Sequence, residues 1–147
     1  MIQIFKKTSV SLIVMLMICV TAMAGGRGMQ NKKKLSFNWH PVMDAIIQVE
    51  SGGNPNAKSG NSVGAMQITP VLVKECNNIL SKRNSKKRYT LADRYSVEKS
   101  KEMFLLIQQY FNPENNVEKA IRSWNGGMRY SVKATNKYYQ KVLACMK

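Results

Sequence analysis

Glu50 is the residue with the clearest chemical potential in this sequence. It ends the most apolar helical run in the chain, where Val42, Ala45, Ile46 and Val49 recur at helical spacing. A stretch of glycine, serine and asparagine follows it at once, over residues 51–62. A carboxyl at the edge of an apolar wall has its charged form disfavoured. Its pKa rises toward the range in which it can give and take a proton near neutrality. No other acid shares that setting. Asp44 lies six residues earlier, about 240° around a helix, and faces another direction. Glu75, Asp93, Glu98, Glu102, Glu114 and Glu118 fall on polar faces or at helix starts, as caps and surface charge.

Composition narrows the remaining chemistry. The 147 residues include 23 Lys+Arg, 8 Asp+Glu, three cysteines and one histidine, His40, for a net charge of +15. Residues 1–24 have the form of a secretory leader. Lys6 and Lys7 form its basic start, an apolar run covers residues 10–20, and Ala22-Met23-Ala24 is a small-x-small cleavage site. The apolar run falls short of the roughly 18–20 residues that span a bilayer. Cys19 follows the bulky Ile18, which argues against lipid attachment. Cleavage after Ala24 leaves 123 residues carrying 21 basic against 8 acidic side chains, a net charge of +13. One domain of that size buries its own core. A single histidine and two remaining cysteines leave no zinc cluster and no histidine-based triad to build, so neither a metal nor a cofactor is expected.

These residues need helices to position them. Residues 25–36 lack periodicity and carry three consecutive lysines, a flexible basic lead-in to a domain spanning 37–147. The spacing predicts helices over about 39–50 with Asn38 as N-cap, and over 70–80 with Thr69 as N-cap before Pro70. A third covers 97–111, burying Val97, Met103, Phe104, Ile107, Tyr110 and Phe111, and Asn112-Pro113 ends it. Val117, Ala120, Ile121 and Trp124 mark a fourth helix, stopped at Gly126-Gly127. Residues 132–146 form the last. The basic stretch 81–90 is a solvated loop. No segment alternates with period two, so the fold class is all-α, or α with minimal β.

The order of short motifs is more specific than any one of them. Glu50-Ser51 is followed by Asn56-Ala57, Ser59, Gly64-Ala65-Met66-Gln67-Ile68, then Trp124-Asn125-Gly126-Gly127, and finally Thr135 with Tyr138. Over residues 39–144 this order resembles the lytic transglycosylases with a lysozyme-like fold. Ala65 and Trp124 stand where that family usually has leucine and tyrosine, and Ala134 where it often has a glutamate.

The resemblance implies an exported enzyme, periplasmic or secreted. It would cleave the MurNAc-β-1,4-GlcNAc bond of peptidoglycan and leave 1,6-anhydroMurNAc ends. Glu50 would be the catalytic acid and base. Ser51 would bond near that carboxyl or the loop backbone. Met66 and Gln67 would line the glycan groove beside Ser59 and Trp124, although core packing is an equal reading for Met66 and Trp124. Asn125 would bind the acetamido side, and Tyr138 would approach Glu50.

Two alternatives stand beside this one. A lysozyme-type muramidase would send water to the same bond, and a non-catalytic cationic module would only bind the wall. The absence of an attached wall-binding segment suits a monomer that opens the wall for a conjugation or secretion apparatus. Nothing in the sequence points to nucleic acid. Cys76 and Cys145 are either a disulfide, which would stabilise the fold by roughly 4 kcal/mol, or two buried thiols.

Overall fold

Five amphipathic stretches fold as helices, and the loop after Glu50 carries the one small sheet among the described residues. The computed structural model describes residues 37–146. The expected leader with Cys19 and the basic lead-in lie outside the described residues. The elements run α1 (His40–Ser51), β1 (Lys58–Ser59), β2 (Ser62–Val63), α2 (Pro70–Lys82), a 3-10 turn (Ala92–Tyr95), α3 (Val97–Phe111), α4 (Val117–Gly126) and α5 (Val132–Cys145). The fold is thus α with minimal β, and no described helix is long and apolar enough to cross a membrane.

Apolar spacing dictates the packing. α1 lies against α4 and α5, while α2 packs on α3. Their inward faces share one core that includes Met43, Ile46, Ile79, Met103, Phe104 and Ile121. Phe104 is its aromatic hinge, with ring centroids 5.6 Å from Trp39 and 5.2 Å from Trp124. It thereby links the start of α1 to the end of α4.

Local chemistry sets the boundaries. The Thr69 hydroxyl accepts from the Leu72 N–H at 3.2 Å and Pro70 follows it, while the Ser96 hydroxyl accepts from Lys99 at 3.2 Å. Asn112 ends α3 and starts α4 together. Its amide donates to Gln108 Oε1 and the Asn116 carbonyl, and its Oδ1 accepts from the Asn116 N–H. That fully satisfied set explains why Gln108 and Asn112 are buried despite their polarity.

Several expectations need correction. Trp39, not Asn38, holds the N-cap of α1. Asn38 instead accepts from the His40 N–H at 3.1 Å, which leaves the indole free to enter the core. The loop over 51–62 contains the β1–β2 hairpin, with Ser59 opposite Ser62. α2 continues to Lys82, beyond the expected end at Leu80. In the basic stretch Tyr89 is buried, because Asn77 accepts from its N–H and donates to its carbonyl, each at 2.8 Å. Tyr110 is exposed, whereas Leu106 is buried in its place on α3. Of the two readings for the cysteine pair, the structure has Cys76 and Cys145 unpaired, the first buried and the second partly so. Cys76 points into the core, where its thiol donates to the Met103 carbonyl at 3.8 Å and burial pushes its pKa up to about 12.

Gly64 is the tightest point of the hairpin. It has φ +80°, and a Cβ there would sit 1.8 Å from the Arg94 carbonyl oxygen. Arg94 in turn ties the hairpin down, donating to the carbonyls of Asn61 and Ile68 at 3.1 and 3.3 Å. Gly64→Ala is expected to destabilise the domain by about 3 kcal/mol or more, read as a lower urea midpoint with an unchanged slope.

Candidate active site

Glu50 sits in the last turn of α1, one residue before its final residue Ser51, and the C-cap Gly52, with φ +61°, turns the chain away. The turn is fixed from both sides. The Ser51 hydroxyl donates to the Ala65 carbonyl at 2.8 Å and to the Ile47 carbonyl at 3.2 Å, binding the helix end to the segment after the hairpin. Across the fold, α5 presents Tyr138, whose hydroxyl donates to Glu50 Oε1 at 2.7 Å. These two residues lie 88 positions apart in the chain.

Burial dominates the electrostatics. It raises the Glu50 pKa above its ordinary value, and the Tyr138 hydrogen bond, which favours the charged carboxylate, lowers it by less. Burial and the neighbouring carboxylate push the Tyr138 phenol far above its ordinary value, so it remains a donor at neutral pH. Glu50 is therefore a carboxyl poised to hold a proton longer than a solvated one, with one oxygen fixed in direction.

Two hollows meet at this carboxyl. The first, about 240 Å³, is lined by Glu50, Ser59, Ser62, Gln67, Thr69, Leu72, Trp124 and Asn125. The second, about 390 Å³, lies along α5 and is lined by Val49, Glu50, Asn125, Ala134, Lys137, Tyr138 and Lys141. Glu50 is the sole acid in either lining. Asp44, the other acid of α1, is exposed and pairs with Lys101 at 2.7 Å. An apolar hollow of about 370 Å³ adjoins the first across Thr69, Leu72 and Trp124, and extends to Phe111 and Met128.

The anticipated lining residues divide. Ser59, Gln67, Trp124 and Asn125 reach the first hollow. Gln67 adopts φ +52°, uncommon for a residue with a side chain, and its amide donates to the Gly64 carbonyl at 2.9 Å. Trp124 has one edge in the hollow, and its indole N–H donates to the Met66 carbonyl at 3.2 Å. Ser51 is turned to backbone rather than to the lining. Met66 needs correction: its side chain is wholly buried and packs in the core, so only its carbonyl serves the cleft, by holding Trp124. The turn at Gln67 is what sends these neighbours to opposite sides.

Sequence reasoning passed over Ser62 and Leu72 as lining residues, and Lys137 and Lys141 beside Glu50. It also passed over the support beneath Tyr138. Arg122 is buried on α4 and donates to Glu118 at 2.7 Å and to Thr135 Oγ1 at 3.1 Å, with its guanidinium 4.2 Å from the Tyr139 ring centroid. The four-residue spacing from Glu118 to Arg122 was the available signal. Gly126 lets α4 and α5 come this close, since a Cβ there would meet Thr135 Cγ2 at 2.7 Å.

A family model described as Transglycosylase SLT domain matches residues 28–143. No curated protein and no solved structure matches the chain.

The raised pKa has a consequence for stability. A carboxyl whose folded pKa exceeds its unfolded one binds more protons when folded, so it costs stability as pH rises from the unfolded value through the folded one. Glu50→Gln keeps an acceptor for Tyr138 and removes the charge. It is expected to raise the Tm at pH 7, with the gain vanishing below about pH 4, where both forms are neutral. Thermal unfolding of the two proteins across that range checks this.

Proposed function

The chain belongs to the transglycosylase SLT domain family, and from that premise we propose that it is a lytic transglycosylase cleaving the MurNAc-β-1,4-GlcNAc bond of peptidoglycan, with Glu50 as acid and base. The family carries a transglycosylase-type function directed at peptidoglycan. The observation that supports the finer reading is the single, proton-retaining carboxyl of Glu50 at the junction of two hollows that contain no second acid. Hydrolases of this bond ordinarily employ a pair of carboxyl groups, one as acid and one as base or nucleophile.

The steps follow from one group doing both proton transfers. Protonated Glu50 gives its proton to the glycosidic oxygen as the bond from that oxygen to the muramoyl anomeric carbon breaks. The N-acetyl oxygen of the same sugar stabilises the developing positive charge. Ionised Glu50, still held by Tyr138, then takes the proton of the muramoyl 6-hydroxyl. That oxygen bonds to the anomeric carbon and closes the 1,6-anhydro ring. Glu50 ends protonated, and no water is consumed.

The lining suits this substrate. Gln67, Asn125 and Ser59 offer amide and hydroxyl groups to acetamido and sugar hydroxyls, and the Trp124 edge offers an apolar face. The leader over residues 1–24 would export the enzyme, and its basic surface would concentrate it on a polyanionic wall.

Glu50→Gln is expected to lower release of fragments from purified sacculi by about 10³-fold or more while leaving binding intact; undiminished release would remove Glu50 from the mechanism. Tyr138→Phe removes the contact that favours the charged carboxylate. The rate should fall as the carboxyl loses its fixed orientation. The alkaline limb of the pH profile, where the acid loses its proton, should move to higher pH. Rate–pH profiles of the two proteins check that shift.

A further inference from the structure

The hollow along α5 contains more charge than the proton transfers use. Lys137 and Lys141 lie one helical turn apart on α5 and both line it. Among the described residues neither joins an ion pair: the four present involve Lys87, Lys99, Lys101 and Arg122. The only acid in the hollow is Glu50, which is turned to Tyr138 and resists ionisation. Two exposed lysines without an ion-pair partner therefore line a hollow of about 390 Å³ that Glu50 also borders.

We propose that this hollow is a subsite for the carboxylates of the stem peptide carried by muramic acid, with Lys137 and Lys141 as its specificity-determining residues. The proposal rests on the peptidoglycan reading above. The muramoyl ring holds the anomeric carbon that reacts, and the same ring carries the lactyl group from which the stem peptide grows. A stem must therefore leave the backbone close to Glu50. The first hollow is lined by amide, hydroxyl and apolar groups and has no cation. The α5 hollow has two, together with the volume for several peptide units. Ala134, a small side chain in its lining, leaves that space open. Asn125 and Glu50 border both hollows, so a sugar held in one places its substituent at the mouth of the other. The enzyme so built prefers stem-bearing strands with free carboxylates over bare glycan.

The test separates binding from turnover. The Glu50→Gln chain is titrated with soluble glycan strands carrying tripeptide stems, with the same strands stripped of stems by an amidase and then methyl-esterified at the lactyl carboxylates this exposes, and with stem-bearing strands whose carboxylates are methyl-esterified. Stem-bearing strands should bind about tenfold tighter than the other two, the scale of two partly exposed charge pairs. Adding Lys137→Gln and Lys141→Gln should abolish that difference and leave the affinity for stripped strands unchanged. Glutamine keeps helix propensity close to that of lysine, so α5 is retained. Lys74→Gln with Lys86→Gln, two lysines that line none of the three hollows, should leave the preference in place. Equal affinity for all three strands would overturn the proposal, as would an equal loss toward all of them in the Lys137/Lys141 variant. If the unmodified chain releases no product while the lysine-dependent preference persists, the catalytic reading fails and the subsite stands.

Discussion

The carboxyl of Glu50 must be kept partly out of water and still pointed in one direction, and the surrounding structure answers to that requirement. Burial alone would leave a neutral acid free to turn. Solvation alone would leave a charged one with no proton to give. The Tyr138 hydroxyl at 2.7 Å fixes the direction, and the apolar flank of α1 supplies the burial. The hydrogen bond favours the charged form and burial the protonated one, and burial is the stronger of the two.

Other features serve that carboxyl from a distance. Tyr138 is held by α5, and α5 is held by the Arg122–Thr135 contact and the close approach that Gly126 permits. The wall opposite Glu50 is held by Ser51, which ties the helix end to the Ala65 carbonyl, and by Trp124, which grips the Met66 carbonyl. Both contacts depend on the chain reversing between Gly64 and Gln67, where positive φ values occur at the two ends. The cleft is therefore backbone-built on one side and side-chain-built on the other, with the one carboxyl between them.

Much of this was legible in the sequence because it is local. Helical spacing, with the hydroxyl cap at Thr69, placed α2 and α3 to within two residues, since a cap and its helix are neighbours in the chain. The apolar run before Glu50 likewise announced a carboxyl at a helix end. What depended on the tertiary fold was harder. Met66 and Gln67 are adjacent, and only the turn decides that one enters the core and the other the cleft. The meeting of Tyr138 with Glu50 spans 88 positions, and the motif resemblance, not periodicity, suggested it. Cys76 and Cys145 offered a pairing by number, yet Cys76 faces α3. Nothing local marks Lys137 and Lys141, exposed lysines of α5 that share a hollow with Glu50 only through the tertiary fold.

In the proposed reaction one carboxyl performs both proton transfers and the sugar's own hydroxyl replaces water. Digestion of purified peptidoglycan by the chain in heavy-oxygen water, followed by mass spectrometry of the released muropeptides, tests this most directly. Ring closure by the 6-hydroxyl gives products lighter by one water than their hydrolysed counterparts, ending in 1,6-anhydroMurNAc and carrying no heavy oxygen at the new end. Reducing ends labelled with heavy oxygen would contradict it, and would mean that water reaches the anomeric carbon in the Glu50 cleft.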